Sequence, residues 1–187
     1  MTLRDRLRHA TSQIHQELHE AAPFARIAAG DMDRVAYIEL LSFLHRYHGA
    51  MTDACNQAAI RLGALALAAA QDARLEALKA DLAVFGCVPS PAGAAAPRSD
   101  DFAVGVLYTV LGSTLGGKVI HRQLEALLAD GRSFFKGSAE DGANWQLFCR
   151  RLEDAGLDMA QVEAGALHAF AAFKSMLNES EFAVACE

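Results

Sequence analysis

The feature that most constrains this 187-residue chain is an apolar segment, residues 102–120, that carries four glycines. Each interior glycine costs a helix about 1 kcal/mol relative to alanine, so some interaction must offset the loss. Gly105, Gly112 and Gly116 are seven and then four residues apart, which places them on one helical face together with Tyr108. We therefore expect a helix whose backbone approaches something flat or bulky.

Two interpretations of this helix remain open at the level of sequence. The glycines either form a small-residue groove for another helix or line a ligand site. The adjacent Gly116 and Gly117 predict a kink, and Ser113 is polar within an apolar helix, which favours a ligand and an ordered water beside it. The alternative role of Ser113 is a hydrogen bond to a carbonyl one turn earlier.

The remainder of the chain has the periodicity of helices. Leu3, Leu7, Ile14 and Leu18 form one apolar stripe near the start, and a proline-rich loop at 86–100 divides the helices into two groups. Alternating β-branched runs are absent. We expect one all-α domain, residues 1–187, built as a compact bundle of about seven helices. The predicted helices are residues 2–19, 33–51, 52–67, 70–85, 101–129, 140–155 and 158–179.

Charge and cysteine content exclude several classes of protein. Seventeen basic and 23 acidic residues give a net charge of −6 without a basic tract, which argues against nucleic-acid binding. The uncharged run at 102–117 is shorter than the ~20 residues of a membrane-spanning helix. No signal peptide is evident, and four widely spaced cysteines predict reduced thiols in the cytoplasm. These cysteines are Cys55, Cys87, Cys149 and Cys186.

A histidine at the edge of the first apolar stripe is a candidate iron ligand. His15 can face a buried pocket from this position, and a neutral imidazole binds iron well. Arg8, two turns earlier on the same face, can pair with a carboxylate. The alternatives are a hydrogen-bonded structural histidine, or zinc held with His19 or by His45 and His48, although no third zinc ligand has a recognisable spacing.

The two segments together resemble the haem oxygenase family. Residues 7–15, Leu-Arg-His-Ala-Thr-Ser-Gln-Ile-His, are similar to the family's L-[KR]-x-A-T-x-x-x-H around its proximal histidine. Residues 108–120 are similar to its distal helix with the L-G-x-x-x-G-G core. Later segments with Phe134, Phe135, Trp145 and Phe170 are similar to bacterial members, in particular those associated with phytochromes.

This resemblance implies an all-helical fold that holds haem between a proximal and a distal helix. Haem is both cofactor and substrate and is cleaved by O₂ and electrons to biliverdin, CO and iron. The implied partners are an external electron donor, a reductase or ferredoxin, and a bacterial phytochrome that receives biliverdin. The resemblance makes His15 the axial ligand, Arg8 and Tyr108 neighbours of the propionates, and Gly112, Ser113, Gly116 and Gly117 the distal wall.

Two positions depart from the family pattern. Many members have aspartate directly after the first glycine, where this chain has Ser113, and several bacterial members have glutamate at the position of Leu111. With serine in place of this aspartate, the sequence does not show how protons would be delivered to the haem. The alternative function is therefore a haem carrier, store or sensor of the same fold that does not degrade haem. A helical scaffold without a cofactor is the third possibility.

Overall fold

A computed structural model describes residues 2–89, 93, 96–178 and the backbone of 185–186. The described chain is all-α, as predicted, apart from one pair of two-residue strands. Pro91 and Glu179 of the predicted loop and last helix lie outside the described residues. The elements are α1 Leu3–His19, α2 Ala22–Ala29, α3 Arg34–Ala50, α4 Thr52–Arg61, α5 Ala66–Val84, β1 Cys87–Val88, α6 Asp100–Gly112, α7 Thr114–Glu125, α8 Ser133–Lys136, α9 Asp141–Asp154, α10 Met159–Asn178 and β2 Ala185–Cys186.

Several predicted helix boundaries are wrong for identifiable reasons. Helix α2 was not predicted, and Pro23 lies in its first turn, where a missing N–H costs nothing. The third predicted helix ends at Arg61, because Gly63 has a φ of 58° and the chain turns there before α5. The four-residue α8 is too short for periodicity to detect. With α2 also unpredicted and one predicted helix divided into α6 and α7, the described residues form ten helices rather than about seven.

Helix α6 forms the centre of the core and packs against α4 and α10. A Cβ atom on Gly105 would overlap the Val162 carbonyl of α10, and one on Gly165 would overlap the Phe102 carbonyl of α6. These two helices therefore touch through their backbones. Gly105 serves helix packing, and our expectation that it shares a ligand face with Gly112 and Gly116 is wrong.

The predicted single helix over residues 101–129 is divided into α6 and α7, and the division lies at Ser113 rather than at Gly116 and Gly117. The Ser113 hydroxyl donates to the Val110 carbonyl at 2.7 Å, and the Thr114 hydroxyl donates to the Leu111 carbonyl at 2.7 Å. Two consecutive hydroxyls thus compete with backbone N–H groups for carbonyl oxygens, which bends a helix. We predicted the kink at Gly116 and Gly117 because adjacent glycines are a common cause of helix kinks.

Taken together, α6 and α7 are longer than the uncharged run that the sequence displayed. Residues Asp100–Glu125 span 26 residues with a mean hydropathy of 1.4 in their most apolar window, so they pass a length and composition test for crossing a membrane. Of that window, 56% is buried inside the protein. Core helices pass the same test, and the segment is therefore weak evidence for a membrane span.

A short β-ladder joins the two ends of the second half of the chain. Strands β1 and β2 are antiparallel, and the register pairs Cys87 with Cys186 and Val88 with Ala185. Cys87 is disulfide-bonded, whereas Cys55 and Cys149 are free thiols. The prediction of four reduced thiols is therefore wrong for Cys87, because spacing along the sequence does not show which segments the fold brings together.

The contact between α6 and α10 predicts that Gly105→Ala destabilises the protein. The added methyl group has no space beside the Val162 carbonyl, so the free energy of unfolding should fall by about 2–3 kcal/mol in chemical denaturation. Gly142→Ala in α9 is the control, since no atom lies within 4 Å of its Cβ position. That variant should gain up to about 1 kcal/mol. Equal stability of both variants would contradict the packing role of Gly105.

Candidate functional site

Helix α1 carries His15 on a side that is open to solvent. Thr2 and Asp5 form a capping box at its start, and Leu7 and Thr11 are its buried residues. Partial burial of the ring, and then the charge of His19, lower the pKa of His15, which favours the neutral imidazole. The His15 ring lies 4.6 Å from the His19 ring and 6.0 Å from the ring of Phe170.

Two ion pairs fix α1 on α10. The Arg6 guanidinium lies 2.8 Å from Glu163, and the Lys174 ammonium lies 2.7 Å from Glu17. His15 lies between these two pairs along α1, so they hold its segment of the helix against α10. Exposed ion pairs contribute little to stability, so their effect is mainly on geometry.

Tyr108 of α6 interacts through its side chain with Thr11 of α1. Burial raises the pKa of Tyr108, while its interaction with Thr11 and the nearby charges of Arg8 and Arg4 oppose the rise. The structure thus brings together Tyr108 and Arg8, two of the residues predicted for one site. Arg4, one turn before Arg8, was not predicted, and it adds a second positive charge at this end of α1.

The glycines of the predicted distal wall have different surroundings. Nothing lies within 4 Å of a Cβ built on Gly116, whereas one on Gly112 would be 3.8 Å from the Trp145 indole. Leu115 and Val119 accompany Gly116 and are each 55% exposed. Gly112 and Gly116 therefore line an open, apolar face. A Cβ on Gly117 would lie 3.0 Å from the Phe135 carbonyl, which gives Gly117 a packing role between α7 and α8.

Trp145 of α9 closes one side of this face. Its indole stacks on Phe148 with ring centroids 5.7 Å apart and tilts against Tyr108 at 5.8 Å. The aromatic contacts hold the indole over Gly112. The sequence resemblance drew attention to Trp145 but did not predict this contact.

Sequence reasoning missed the group that supports Ser113. The Arg74 side chain of α5 is buried, stacks over the Phe134 ring at 4.4 Å and donates from Nη2 to the Ser113 hydroxyl at 3.1 Å. Burial lowers the pKa of Arg74 to about 10, so it still carries its charge at neutral pH. The sequence carried a signal, because Gln71, Arg74 and Asp81 interrupt the otherwise apolar stripe of buried residues on α5.

The second histidine pair lies deep in the core. Gln71 donates to the His48 carbonyl at 3.0 Å and lies 3.4 Å from His48 Nδ1. Burial, and then the charge of Arg74, hold the pKa of His48 well below 6.5. Within the part of the chain that the structure describes, no group of three or more His, Cys, Asp or Glu side chains is placed to hold a metal ion, so zinc has no support at either histidine pair.

Comparison with known proteins identifies the family. The sequence model of haem oxygenase matches residues 1–179. The chain belongs to the haem oxygenase family. A haem oxygenase of Xanthomonas campestris pv. campestris is 37% identical over 115 residues, which are 56% of this chain and 67% of that protein.

A solved structure confirms the fold. The NO- and CO-bound haem oxygenase of Neisseria meningitidis superposes with a TM-score of 0.78 at 24% identity, over 100% of this chain and 98% of that one. At this identity the likeness concerns the fold alone. The resemblance stated from the two sequence segments, and the all-α haem oxygenase architecture, are thereby confirmed.

Haem is the substrate and prosthetic group of this family, and the residues of the present chain fit a haem group. His15 is a neutral, accessible imidazole, as an iron ligand must be. The open Gly116 position with exposed Leu115 and Val119 offers a flat apolar wall. Arg8, near Tyr108, supplies a positive charge for a carboxylate.

The burial of His48 predicts a pH dependence of stability. Its folded-state pKa is lowered, so below pH 6.5 the unfolded chain takes up a proton that the folded protein does not. Stability is therefore fully present above pH 6.5 and falls as pH drops, by about 1.4 kcal/mol per pH unit for such a group. Urea unfolding between pH 7 and 5 should show a shallower slope for His48→Gln than for the wild type. The exposed His168→Gln is the control, and a slope unchanged by His48→Gln would contradict this account.

Proposed function

We propose that the protein is an active haem oxygenase that cleaves haem, with O₂ and an external reductant, to biliverdin, CO and ferrous iron. The observation that carries the proposal is the open glycine face of α6 and α7, with the Ser113 hydroxyl held at its edge by Arg74. A helix groove built only for packing would bury Gly112 and Gly116 against another backbone, as α10 buries Gly105.

Five residues of this chain would hold the haem. His15 is the proposed axial ligand through its neutral imidazole, and the backbone at Gly112 and Gly116 is the proposed opposite wall. Arg8 and Tyr108 are proposed to receive the propionates where the Tyr108 side chain meets α1. Bound haem supplies the iron that activates O₂.

Ser113 and Arg74 are proposed to organise the polar side of the site. The Ser113 hydroxyl donates to the Val110 carbonyl and accepts from Arg74, so its orientation is fixed. Its remaining lone pair can accept a hydrogen bond from a water molecule on the open face. The buried positive charge of Arg74 favours the donation of that water's second proton towards the site. This pair would replace the aspartate of other family members.

The partners and the compartment belong to the same proposal. An external electron donor, either a reductase or a ferredoxin, is the proposed source of electrons, and a bacterial phytochrome is the proposed recipient of biliverdin. The cytoplasm is the expected location. The disulfide bond of Cys87 counts against it, because such bonds are rare in reducing compartments.

A hemin titration followed by reductant in air tests the proposal. We expect a one-to-one complex in the absorbance spectrum, which then converts to biliverdin with release of CO. His15→Ala should retain its helical content but lose the axial ligation seen in the ferric spectrum. A complex that is only reduced and reoxidised would replace the oxygenase by the haem carrier or sensor. A wild-type spectrum in His15→Ala would refute the axial assignment.

The position of Gly112 predicts the effect of a larger side chain. In Gly112→Leu the Trp145 indole blocks one side of the added isobutyl group. The group should therefore project across the open glycine face into the distal site. We expect the ferrous haem complex of this variant to lose CO binding, measured by flash photolysis. Gly142→Leu on the exposed start of α9 is the control. CO binding of wild-type affinity in Gly112→Leu would contradict the distal role.

A further inference from the structure

The one tryptophan of the chain borders the open glycine face of α6 and α7. The edge of the Trp145 indole lies 3.8 Å from the Cβ position of Gly112, and the side chain is only partly buried. Indole and phenol rings are among the side chains that lose a single electron most readily. An easily oxidised group therefore stands at the face where we propose that haem binds.

A second oxidisable ring, Tyr108 of α6, is in contact with this indole. The centroids of the two rings are 5.8 Å apart and their planes are inclined by 45°. Phe148 is 0% exposed, and its ring lies 5.7 Å from the indole and 6.3 Å from the Tyr108 ring. Packing on this buried phenylalanine fixes the two rings against each other, at a separation that permits direct electron transfer.

The surroundings of Tyr108 differ from those of the other two tyrosines. Tyr37 and Tyr47 are 0% and 3% exposed, and both hydroxyls donate to backbone carbonyls in the core. Tyr108 is only partly buried, and it is the tyrosine whose ring contacts Trp145. It is therefore placed to connect the indole with solvent.

The charges near Tyr108 favour a neutral radical at this ring. A phenol that loses an electron becomes a strong acid and releases its proton. Burial raises the pKa of Tyr108, while its interaction with Thr11 and the positive charges of Arg8 and Arg4 oppose the rise. The same two charges disfavour a second positive charge on the oxidised ring, so they promote the loss of its proton.

We propose that Trp145 and Tyr108 form an electron-transfer path between haem at the glycine face and a small thiol in solution, which gives the protein a thiol-dependent activity against organic hydroperoxides. The path removes oxidising equivalents that would otherwise damage the haem site. The inference rests on the proposed function for the location of the haem, but it does not require that the haem is cleaved.

The atoms and electrons of this reaction balance. The hydroperoxide takes two electrons from the haem complex and, with two protons, becomes an alcohol and water. Trp145 returns one electron to the haem, Tyr108 passes one electron to the indole and one proton to water, and the thiol gives a hydrogen atom to the phenoxyl radical. A second pass returns the second electron. The two thiyl radicals combine, so that one hydroperoxide and two thiols yield an alcohol, water and a disulfide.

Pulse radiolysis of the haem-free protein tests the path independently of any activity. Azidyl radicals oxidise indole in preference to phenol, so the radical of Trp145 forms first. We expect its absorbance to decay as phenoxyl absorbance rises, with one rate constant that does not depend on protein concentration. Tyr108→Phe keeps the ring and should abolish the conversion, whereas Tyr37→Phe is the matched control and should retain it. A persistent indolyl radical in the wild type, or an unchanged conversion in Tyr108→Phe, would overturn the path.

Freeze-quench electron paramagnetic resonance of the ferric haem complex tests the activity. With cumene hydroperoxide as the oxidant we expect a phenoxyl signal, and with added glutathione we expect its disulfide to accumulate. Trp145→Phe and Tyr108→Phe should each lose the phenoxyl signal and most of the thiol oxidation at equal haem occupancy. Tyr37→Phe should behave as the wild type.

The outcomes separate this path from the proposed function. A wild type that cleaves haem but forms no phenoxyl radical overturns the path and leaves the oxygenase in place. A wild type that binds hemin and forms the radical without cleaving haem supports the path and refutes the oxygenase. Thiol oxidation of wild-type rate in Tyr108→Phe would also overturn the path. If hemin does not bind, the path has no source of oxidising equivalents, and both proposals fail.

Discussion

The backbone contact between α6 and α10 is the constraint on which the rest of the structure depends. Gly105 and Gly165 let the two helices meet without intervening side chains. The same helix α10 receives α1 through the ion pairs of Arg6 and Glu17 with Glu163 and Lys174. One helix therefore sets the positions of both proposed haem walls. A change in how α10 packs should alter both walls at once.

Burying the polar groups behind the distal face costs desolvation free energy, and the contacts within the fold offset only part of it. Arg74 gains a cation–π contact with Phe134 and a hydrogen bond with Ser113 for the loss of hydration of its guanidinium. The remaining unpartnered atoms at His45, Gln71 and Arg74 would be poor design in a scaffold protein. Burying these atoms therefore costs stability, which the two contacts of Arg74 recover only in part.

The sequence predicted the helical class and most helices because apolar periodicity is a local signal. It also predicted the glycine-rich helix, yet it assigned Gly105 to the wrong role, since spacing shows which residues share a face but not what lies against it. The break at Ser113 depends on competing hydroxyl groups rather than on a residue's general helix preference. The disulfide of Cys87 depends on which distant strands meet, and one sequence holds no such information.

The candidate site was predicted for the residues that carry a motif, and missed for those that support them. Arg74 lies 39 residues before Ser113 and belongs to no motif, although its position in an apolar stripe of α5 was a signal.

A crystal structure of the hemin complex, with the anomalous signal of iron, tests the central claim most directly. The account predicts the iron at a ring nitrogen of His15 and the backbone of Gly112 and Gly116 across the porphyrin. Iron bound to another side chain, or a porphyrin outside these two walls, would contradict it.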